Sequence, residues 1–223
     1  MRNALTLYQY LAPAVLAPAS FLLWQREYGG DLGLVAGAWL IPVLWAYIVP
    51  GIGTNVLKVW EFNTRLRLGR FRPHHGFVFG STTAMLAWLV HVPSQSLLDA
   101  ARSAFVLCSV LAFWNLIYDV VAIRAGILCV YNQNWADGQG EAAIALDYAP
   151  WFFGGFGAVY GLGIGTLEWL SHRGALSGPV LAVALAVMLL LSIAVPVTGF
   201  VMQSRRRHGH WGTRPVKKTC QSV

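Results

Sequence analysis

Six long apolar runs constrain the fold of this chain more than any other feature of its sequence. They extend over Leu5–Trp24, Leu32–Leu57, Phe77–Val92, Ala104–Val121, Ala149–Trp169 and Leu176–Met202. As helices, most are long enough to cross a hydrocarbon core about 30 Å thick. Because a helix satisfies its own backbone hydrogen bonds, it can face lipid without help from neighbouring segments. The sequence therefore predicts an all-α membrane bundle of six transmembrane helices, or seven if the fourth run continues as a further span.

The composition supports a single membrane domain and excludes an ordinary soluble one. Hydrophobic residues make up 57% of the chain and charged residues 11%, and the mean hydropathy is +0.55. These values lie outside the usual range of soluble domains. We expect residues 1–202 to form one transmembrane bundle and residues 203–223 to form a basic, mobile cytoplasmic tail.

The formal net charge of +7 is distributed unevenly along the chain. The basic stretches are Arg2, Lys58–Arg72, Arg124 and Arg205–Lys218, whereas the alternate connections carry Arg26, Arg102 and Arg173. Because basic residues are retained on the cytoplasmic side, both termini are predicted to be cytoplasmic. The predicted location is a bacterial inner membrane or another cellular membrane. Topology accounts for the charge, and no nucleic-acid partner is expected.

The three cysteines are widely separated in the sequence. Cys108 and Cys129 lie in apolar surroundings, and Cys220 lies in the basic tail. This arrangement predicts unpaired thiols in a reducing compartment rather than a disulfide framework.

Two acidic residues lie where a carboxylate is costly. Glu61 follows the second apolar run, and Asp119 lies inside the fourth. An ionisable group at membrane depth is by default a candidate functional residue. Glu61 has two interpretations: an interfacial carboxylate paired with Arg65, or a protonated acid inside the bundle that Asn63 orients.

Asp119 and Asp147 likewise each have a structural and a functional interpretation. Asp119 shares a helix face with Asn115, and Tyr118 lies beside it. An ion pair with Arg124 or a hydrogen bond to Asn115 would explain this acid structurally, whereas a polar pocket would explain it functionally. Asp147 precedes a helix start, where it either stabilises that start or faces the same cavity.

Aromatic residues gather near the three candidate acids. They are Trp60, Trp114, Tyr118, Tyr148, Trp151, Phe152 and Phe153. An aromatic face attracts a cation by about 0.5–2 kcal/mol. A pocket of acids and aromatic faces therefore suits the guidance of carbocations, and it also suits a cationic or lipophilic ligand.

The remaining polar residues suggest no cofactor. The adjacent pair His74-His75 lacks further ligands at metal-binding spacing. Glu168 and His91 lie near the ends of their runs and are predicted to be interfacial. Nucleotide-binding and nucleophile motifs are missing from the sequence. We therefore expect a chain that works without a metal or a cofactor.

Two further patterns concern packing. Glu61 and Asp119 are each followed by a basic residue and a glycine, and then by an aromatic helix start. This weak repeat predicts two parallel halves, unless the likeness arises by chance. Gly157, Gly161 and Gly165 share one helix face, which predicts close packing against a neighbouring helix.

These residues resemble two families. Chain size, helical membrane character and Trp60-Glu61 after the second span are similar to the small integral-membrane terpene cyclases of meroterpenoid and indole-terpenoid pathways. The second half is similar to the membrane domains of lycopene cyclases and carotenoid hydratases, through Asp119, Ala122-Ile123-Arg124-Ala125-Gly126, Tyr131-Asn132 and Asp147. The sequence departs from the lycopene cyclases where their paired glutamates are replaced by Asp147-Tyr148, and from the membrane terpene cyclases where the last span lacks the expected acid.

The resemblance implies an isomerase of isoprenoid biosynthesis. It implies protonation of an alkene or epoxide of a prenylated substrate, ring closure through carbocations, and a final deprotonation. Glu61 is the expected general acid, with Asp119 or Asp147 as its partner or the final base. The expected substrate-binding residues are Trp60, Asn63, Trp114, Asn115, Tyr118, Tyr148, Trp151 and Phe152.

Two other classes of protein fit the same sequence. One is a small membrane transporter or lipophilic-ligand-binding subunit that uses Asp119 as a proton or cation site. The other is a structural subunit of a larger membrane complex. In every case the lipid bilayer is a partner, and the sequence does not specify the oligomeric state.

Overall fold

A computed structural model describes residues 2–133 and 139–216, which form six helices and a two-stranded antiparallel sheet. We call this sheet the hairpin, although residues 63–127 separate its two strands in the sequence. The helices are α1 (Arg2–Glu27), α2 (Leu32–Val56), α3 (His75–Leu89), α4 (Leu97–Arg124), α5 (Gly140–Ala149, Pro150–Gly155 and Phe156–His172) and α6 (Gly178–His208). The strands are β1 (Trp60–Phe62) and β2 (Leu128–Val130). Each predicted apolar run overlaps one of these helices.

Four of the six helices are long and apolar enough to cross a membrane: α1, α2, α4 and α6. This finding supports the predicted all-α membrane bundle. Helix α3 has only 15 residues, and at 1.5 Å per residue it covers roughly 22 Å, less than a hydrocarbon core. The count of six or seven spans and the internal repeat therefore stay predictions.

Proline accompanies the irregular turns in these helices. Short π-helical segments occur at Ala12–Leu16 in α1, at Ala36–Leu40 and Ile52–Val56 in α2, and at Pro150–Gly155 in α5. Proline lacks the N–H that an α-helical turn requires, so the hydrogen bonding shifts locally. The π-helical segment of α5 carries the aromatic residues that the sequence analysis singled out.

Glycines hold α4 and α5 in close contact, as predicted. A Cβ atom added at Gly157, Gly161 or Gly165 would collide with the backbone of α4. These two helices therefore pack backbone to backbone, while large buried side chains such as Trp45 and Phe156 fill the core between α2 and α5. The small residues explain why α4 follows α5 along most of its length.

The hairpin lies across the loops at one end of the bundle. Its strands are antiparallel, and Trp60 is opposite Val130 while Phe62 is opposite Leu128. Side chains alternate between the two faces of a strand, so these four residues share one face and Glu61 lies on the other. We call this the hairpin end; the far end carries the turns 28–31, 90–96 and 173–177.

The segment after residue 202, which was expected to be mobile, is structured as far as residue 216. Helix α6 continues to His208. Beyond it, the backbone N–H of Val216 donates to Tyr131 O at 2.7 Å, and Asn132 Nδ2 donates to Gly212 O at 2.6 Å. These hydrogen bonds hold residues 209–216 against the strand β2 region. Residues 217–223 lie outside the described part of the chain.

The cysteines depart from the predicted pattern. Cys108 is free, but Cys129 is disulfide-bonded. The prediction of unpaired thiols is therefore wrong for Cys129, and Cys220 lies outside the described residues.

Candidate functional site

A cavity of about 330 Å³ lies under the hairpin, between α1, α2, α3, α4 and α5. Half of its lining is aromatic: Tyr8, Trp45, Trp60, Phe62, Phe79, Trp114, Tyr118, Tyr148, Phe152 and Phe153. Its volume is near the lower limit of small-molecule sites, about 300–1,000 Å³. Such a cavity suits an apolar ligand of modest size.

Asp119 is the one acidic residue among those that the structure describes that lines this cavity. Its side chain is buried, with 6% of the residue exposed. The hydroxyl of Tyr148 donates a hydrogen bond to Asp119 Oδ2 at 2.6 Å. Within residues 2–133 and 139–216, the ion pairs include none that involves Asp119. The carboxyl group therefore faces an aromatic cavity with a neutral partner.

Neither structural partner proposed for Asp119 is present. Asn115 also lines the cavity, but its side-chain amide donates to Leu111 O at 2.8 Å within its own helix. Arg124 pairs instead with Glu141, with Nε and Oε1 3.4 Å apart. The Tyr148 contact joins α5 to α4, a connection that the sequence spacing alone did not reveal.

Glu61 lies on the opposite face of the hairpin from the cavity. Its neighbours Trp60 and Phe62 line the cavity, whereas Glu61 pairs with Arg70 at 3.3 Å and Arg72 at 3.1 Å. Burial lowers the pKa of Arg72, and the charge of Glu61 opposes that shift. The predicted partner Arg65 is replaced by these two arginines, because the intervening loop folds back on β1.

The arginine cluster also fixes the backbone beside the hairpin. Arg72 Nε donates to Phe62 O at 2.7 Å. The backbone N–H of Asn63 donates to Ile127 O at 2.7 Å, which extends the strand pairing. Asn63 does not line the cavity, so its predicted role in orienting Glu61 there has no geometric support.

Asp147 belongs to a separate hydrogen-bonded group between α5 and α6. Its Oδ1 atom lies 3.0 Å from His208 Nε2, and its backbone carbonyl accepts from Gln203 Nε2 at 2.6 Å. Trp151 Nε1 donates to Gln203 Oε1 at 2.7 Å. Asp147 and Trp151 therefore connect two helices, and neither lines the cavity.

The structure thus divides the predicted site. Seven of its residues line the cavity: Trp60, Trp114, Asn115, Tyr118, Asp119, Tyr148 and Phe152. Four lie outside it: Glu61, Asn63, Asp147 and Trp151. The expectation that three carboxylates converge on one pocket is wrong, because strand alternation turns Glu61 outward and hydrogen bonds to α6 hold Asp147.

His75 is a cavity residue that the sequence analysis considered only as a metal ligand. It begins α3, and its ring packs on Phe62 with the ring centroids 4.1 Å apart. Burial, assisted by the neighbouring His74 and Arg72, lowers the pKa of His75 to about 3. The imidazole is therefore neutral at neutral pH. The one sequence feature that could have identified His75 as a cavity residue is its position at the start of a helix rich in aromatic residues.

The far end contains a second group of buried titratable side chains. Glu168 is 7% exposed, and its Oε1 atom lies 2.6 Å from His91 Nε2. Tyr28 donates to the same oxygen at 2.7 Å, and the Ser94 N–H donates to Oε2 at 2.8 Å. Glu27 lies 3.4 Å from the other ring nitrogen of His91.

The sequence predicted that His91 and Glu168 are interfacial, but it did not reveal that they contact each other. Both lie at helix ends, as the sequence indicated, but the turns at the far end fold over them. Sequence position gives the depth of a residue along its helix and not the direction in which its side chain points.

Within the described ranges, 2–133 and 139–216, no three His, Cys, Asp or Glu residues are close enough together to bind a metal ion. The site is instead an aromatic cavity with a single acid. Its likeness to the membrane terpene cyclases stays a prediction, because comparisons with protein-family models, curated proteins and solved structures found no match.

Proposed function

We propose that this protein is a membrane-bound, metal-independent terpene cyclase that acts on a prenyl chain in the aromatic cavity. The single observation that carries the proposal is a buried acid, Asp119, facing aromatic walls without a cationic partner among the described residues. A carboxylate in such surroundings is costly. The neutral carboxylic acid is the form that can donate a proton.

Asp119 replaces Glu61 as the proposed proton donor. Its proton forms a C–H bond with one alkene carbon, or protonates an epoxide oxygen, and a tertiary cation results. A second alkene then supplies its π electrons to form the ring C–C bond and moves the cation along the chain. Loss of a proton to the Asp119 carboxylate gives a new alkene and restores the acid, so no other reactant is consumed.

The cavity walls would stabilise the cation without quenching it. Aromatic faces attract a cation by about 0.5–2 kcal/mol each. Trp60 and Phe152 meet edge to face, with their ring centroids 5.7 Å apart. Preorganised groups in a water-poor site need little rearrangement as charge develops. This arrangement would also protect the cation from capture by water.

The test is the Asp119→Asn variant, assayed with farnesylated and geranylgeranylated aromatic substrates in membranes. Asparagine preserves the size of the side chain but removes the proton donor. General acid catalysis contributes about 10²–10⁴-fold, so cyclised product should fall by that factor. Asp99→Asn is the matched control, since Asp99 caps the start of the same helix. Undiminished cyclisation by Asp119→Asn would reject the mechanism.

Proton-coupled transport is the second candidate, and one observation favours it. A second buried acid, Glu168, lies at the far end of the bundle while Asp119 lies towards the hairpin end. Carboxylates at both ends of a bundle are typical of proton pathways. Substrate uptake that collapses a proton gradient, without any cyclised product, would favour this alternative.

The proposed topology has six spans, with both termini in the cytoplasm. The charge distribution supports it. Reporter fusions after Pro215 test it. A fusion active only in the cytoplasm supports the proposal, and one active only outside would reverse the orientation.

A further inference from the structure

The seam between α3 and α4, with Leu86 on one side and Trp114 on the other, differs from the other helix contacts of α4. Although α3 and α4 are consecutive, α4 packs closely on α5 through the glycines described above. Along the α3–α4 side lie two cavities. The aromatic cavity includes Leu86 and Trp114, and a smaller one of about 90 Å³ includes Ala87 and Leu107. This seam is therefore loosely packed.

Trp114 forms part of the cavity wall and also reaches the outer surface of the bundle. It lines the aromatic cavity and is nevertheless 53% exposed. It lies ten residues before Arg124, the end of α4, which corresponds to roughly 15 Å along a helix. This depth is near the middle of the apolar run, so the outer side of Trp114 faces the hydrocarbon region.

The seam is bridged on the side towards the hairpin end. Tyr8 contacts Tyr118 with the ring centroids 5.6 Å apart, and the Tyr8 hydroxyl forms a short hydrogen bond with Thr82. Towards the far end, Trp24 packs on His91 with the ring centroids 4.9 Å apart, a contact that joins α1 to the turn after α3 and does not reach α4. The loosely packed part of the seam lies on the far-end side of the Tyr8 contacts, at the level of Leu86 and Trp114.

We propose that this part of the seam is a lateral entrance through which a hydrocarbon chain moves from the bilayer into the aromatic cavity. The occupant is an uncharged chain, because the walls at Leu86 and Trp114 are apolar and none of the lysines and arginines that the structure describes lines the cavity. Asp119 lies five residues beyond Trp114 along α4, so a chain that passes Trp114 approaches the acid. The proposal rests on the proposed function only for the identity of that chain as prenyl.

Photolabelling from the bilayer tests this entrance without requiring turnover. The protein is placed in nanodiscs of phosphatidylcholine that carries a diazirine at the middle of one acyl chain. Illumination and mass spectrometry then map the labelled residues. In the wild-type protein we expect labels on cavity residues such as Phe79 and Thr82 as well as on lipid-facing residues.

A matched pair of variants adds a large side chain either at the seam or at the outer surface of α3. Leu86→Trp adds bulk at the entrance, and Leu89→Trp adds the same bulk to an exposed position on the same helix that lines neither cavity. Labelling of Thr82 should fall about tenfold in Leu86→Trp and stay at the wild-type level in Leu89→Trp. Labelling of lipid-facing residues reports whether each variant is folded.

The outcomes separate the entrance from the chemistry. An unlabelled cavity in the wild-type protein, or equal cavity labelling in both variants, would overturn the entrance. Should Leu86→Trp not fold, Trp114→Ala must raise labelling of Thr82, and unchanged labelling there would equally reject the proposal. A labelled cavity in a protein that forms no cyclised product would remove the cyclase proposal alone.

Discussion

Asp119 and Glu168 are both buried carboxylates in neighbouring helices, yet their surroundings differ. Glu168 is contacted by His91, Tyr28 and the Ser94 N–H. Asp119 accepts one hydrogen bond, from Tyr148, and otherwise faces an open aromatic cavity. Burial alone therefore does not mark a functional acid. The decisive difference is whether the surrounding groups already satisfy the carboxylate.

The contrast extends to the shape of the molecule around each acid. At the far end, the turns 28–31 and 90–96 supply the groups that contact Glu168, and this acid therefore connects α1, α3 and α5. At the hairpin end, the apolar face of β1 and β2 covers a cavity and leaves space beside Asp119. A satisfied acid holds helices together, whereas an acid next to empty apolar space is available to a ligand.

The largest expected effect is on stability, from Glu168→Leu. This change leaves Tyr28, His91 and the Ser94 N–H without their shared partner in a buried site. Each buried donor left without a partner typically costs about 1–3 kcal/mol, so the loss of three such contacts should exceed the loss of one. Denaturant unfolding in detergent micelles measures the loss.

Asp119→Leu is the matched change, because it also removes a buried acid, but one that accepts a single hydrogen bond. It leaves one hydroxyl, that of Tyr148, unsatisfied, at a cost of about 1–3 kcal/mol. Equal losses in the two variants would contradict the distinction between a structural acid and a functional one.

The histidines offer a pH test of the same comparison. His91 lies between two carboxylates, whereas His75 packs on Phe62 in the cavity. Burial lowers the pKa of His75 to about 3, below the value of about 6.5 in an unfolded chain. Between those values the unfolded chain binds a proton that the folded protein does not, so stability falls as the pH falls below about 6.5.

The expected loss through His75 is at most about 1.4 kcal/mol per pH unit. Unfolding of the wild-type protein and of His75→Gln, measured from pH 7 to pH 5, checks this value. The variant should lose less stability over that range. A pH dependence identical in both proteins would show that His75 is solvated in the folded protein.

A smaller effect is expected from Tyr148→Phe, which keeps the ring and removes the hydroxyl that Asp119 contacts. Loss of one hydrogen bond costs about 0.5–1.5 kcal/mol, which corresponds to a two- to tenfold decrease in cyclisation. Tyr160→Phe is the control, because Tyr160 lies on the same helix as Tyr148 but does not line the cavity. Its hydroxyl donates to Ala38 O in α2. A decrease of equal size in the control would mean that the effect is structural.

Periodicity and hydrophobic length predicted the helices well. In a lipid environment, a run such as Leu32–Leu57 can satisfy its backbone hydrogen bonds only as a helix, so residues within the run determine its secondary structure. The small-residue face of Gly157, Gly161 and Gly165 likewise predicted the packing of α5 on α4. These features depend on residues close together in the sequence.

The candidate site was harder to predict because its partners are distant in the sequence. The Tyr148–Asp119 hydrogen bond joins residues 29 positions apart. The hairpin pairs residue 61 with residue 129, and neither three-residue strand shows a recognisable pattern by itself. This pairing directs the Glu61 side chain away from the cavity, and the pairing could not be predicted from the sequence near Glu61.

Glu61→Gln is the variant with the smallest expected effect on cyclisation. The sequence favoured Glu61 as the proton donor, whereas the structure places Asp119 in the cavity, so substitutions of the two acids should have different effects. Glu61 lies on the outer face of the hairpin, partly exposed and paired with Arg70 and Arg72. Because Glu61 does not line the cavity, cyclisation should change by less than roughly fivefold, although the buried Arg72 loses a charged partner and stability falls. The assay is the one used for Asp119→Asn. A loss as large as that of Asp119→Asn would place the proton donor on Glu61 and require the hairpin to rearrange when substrate binds.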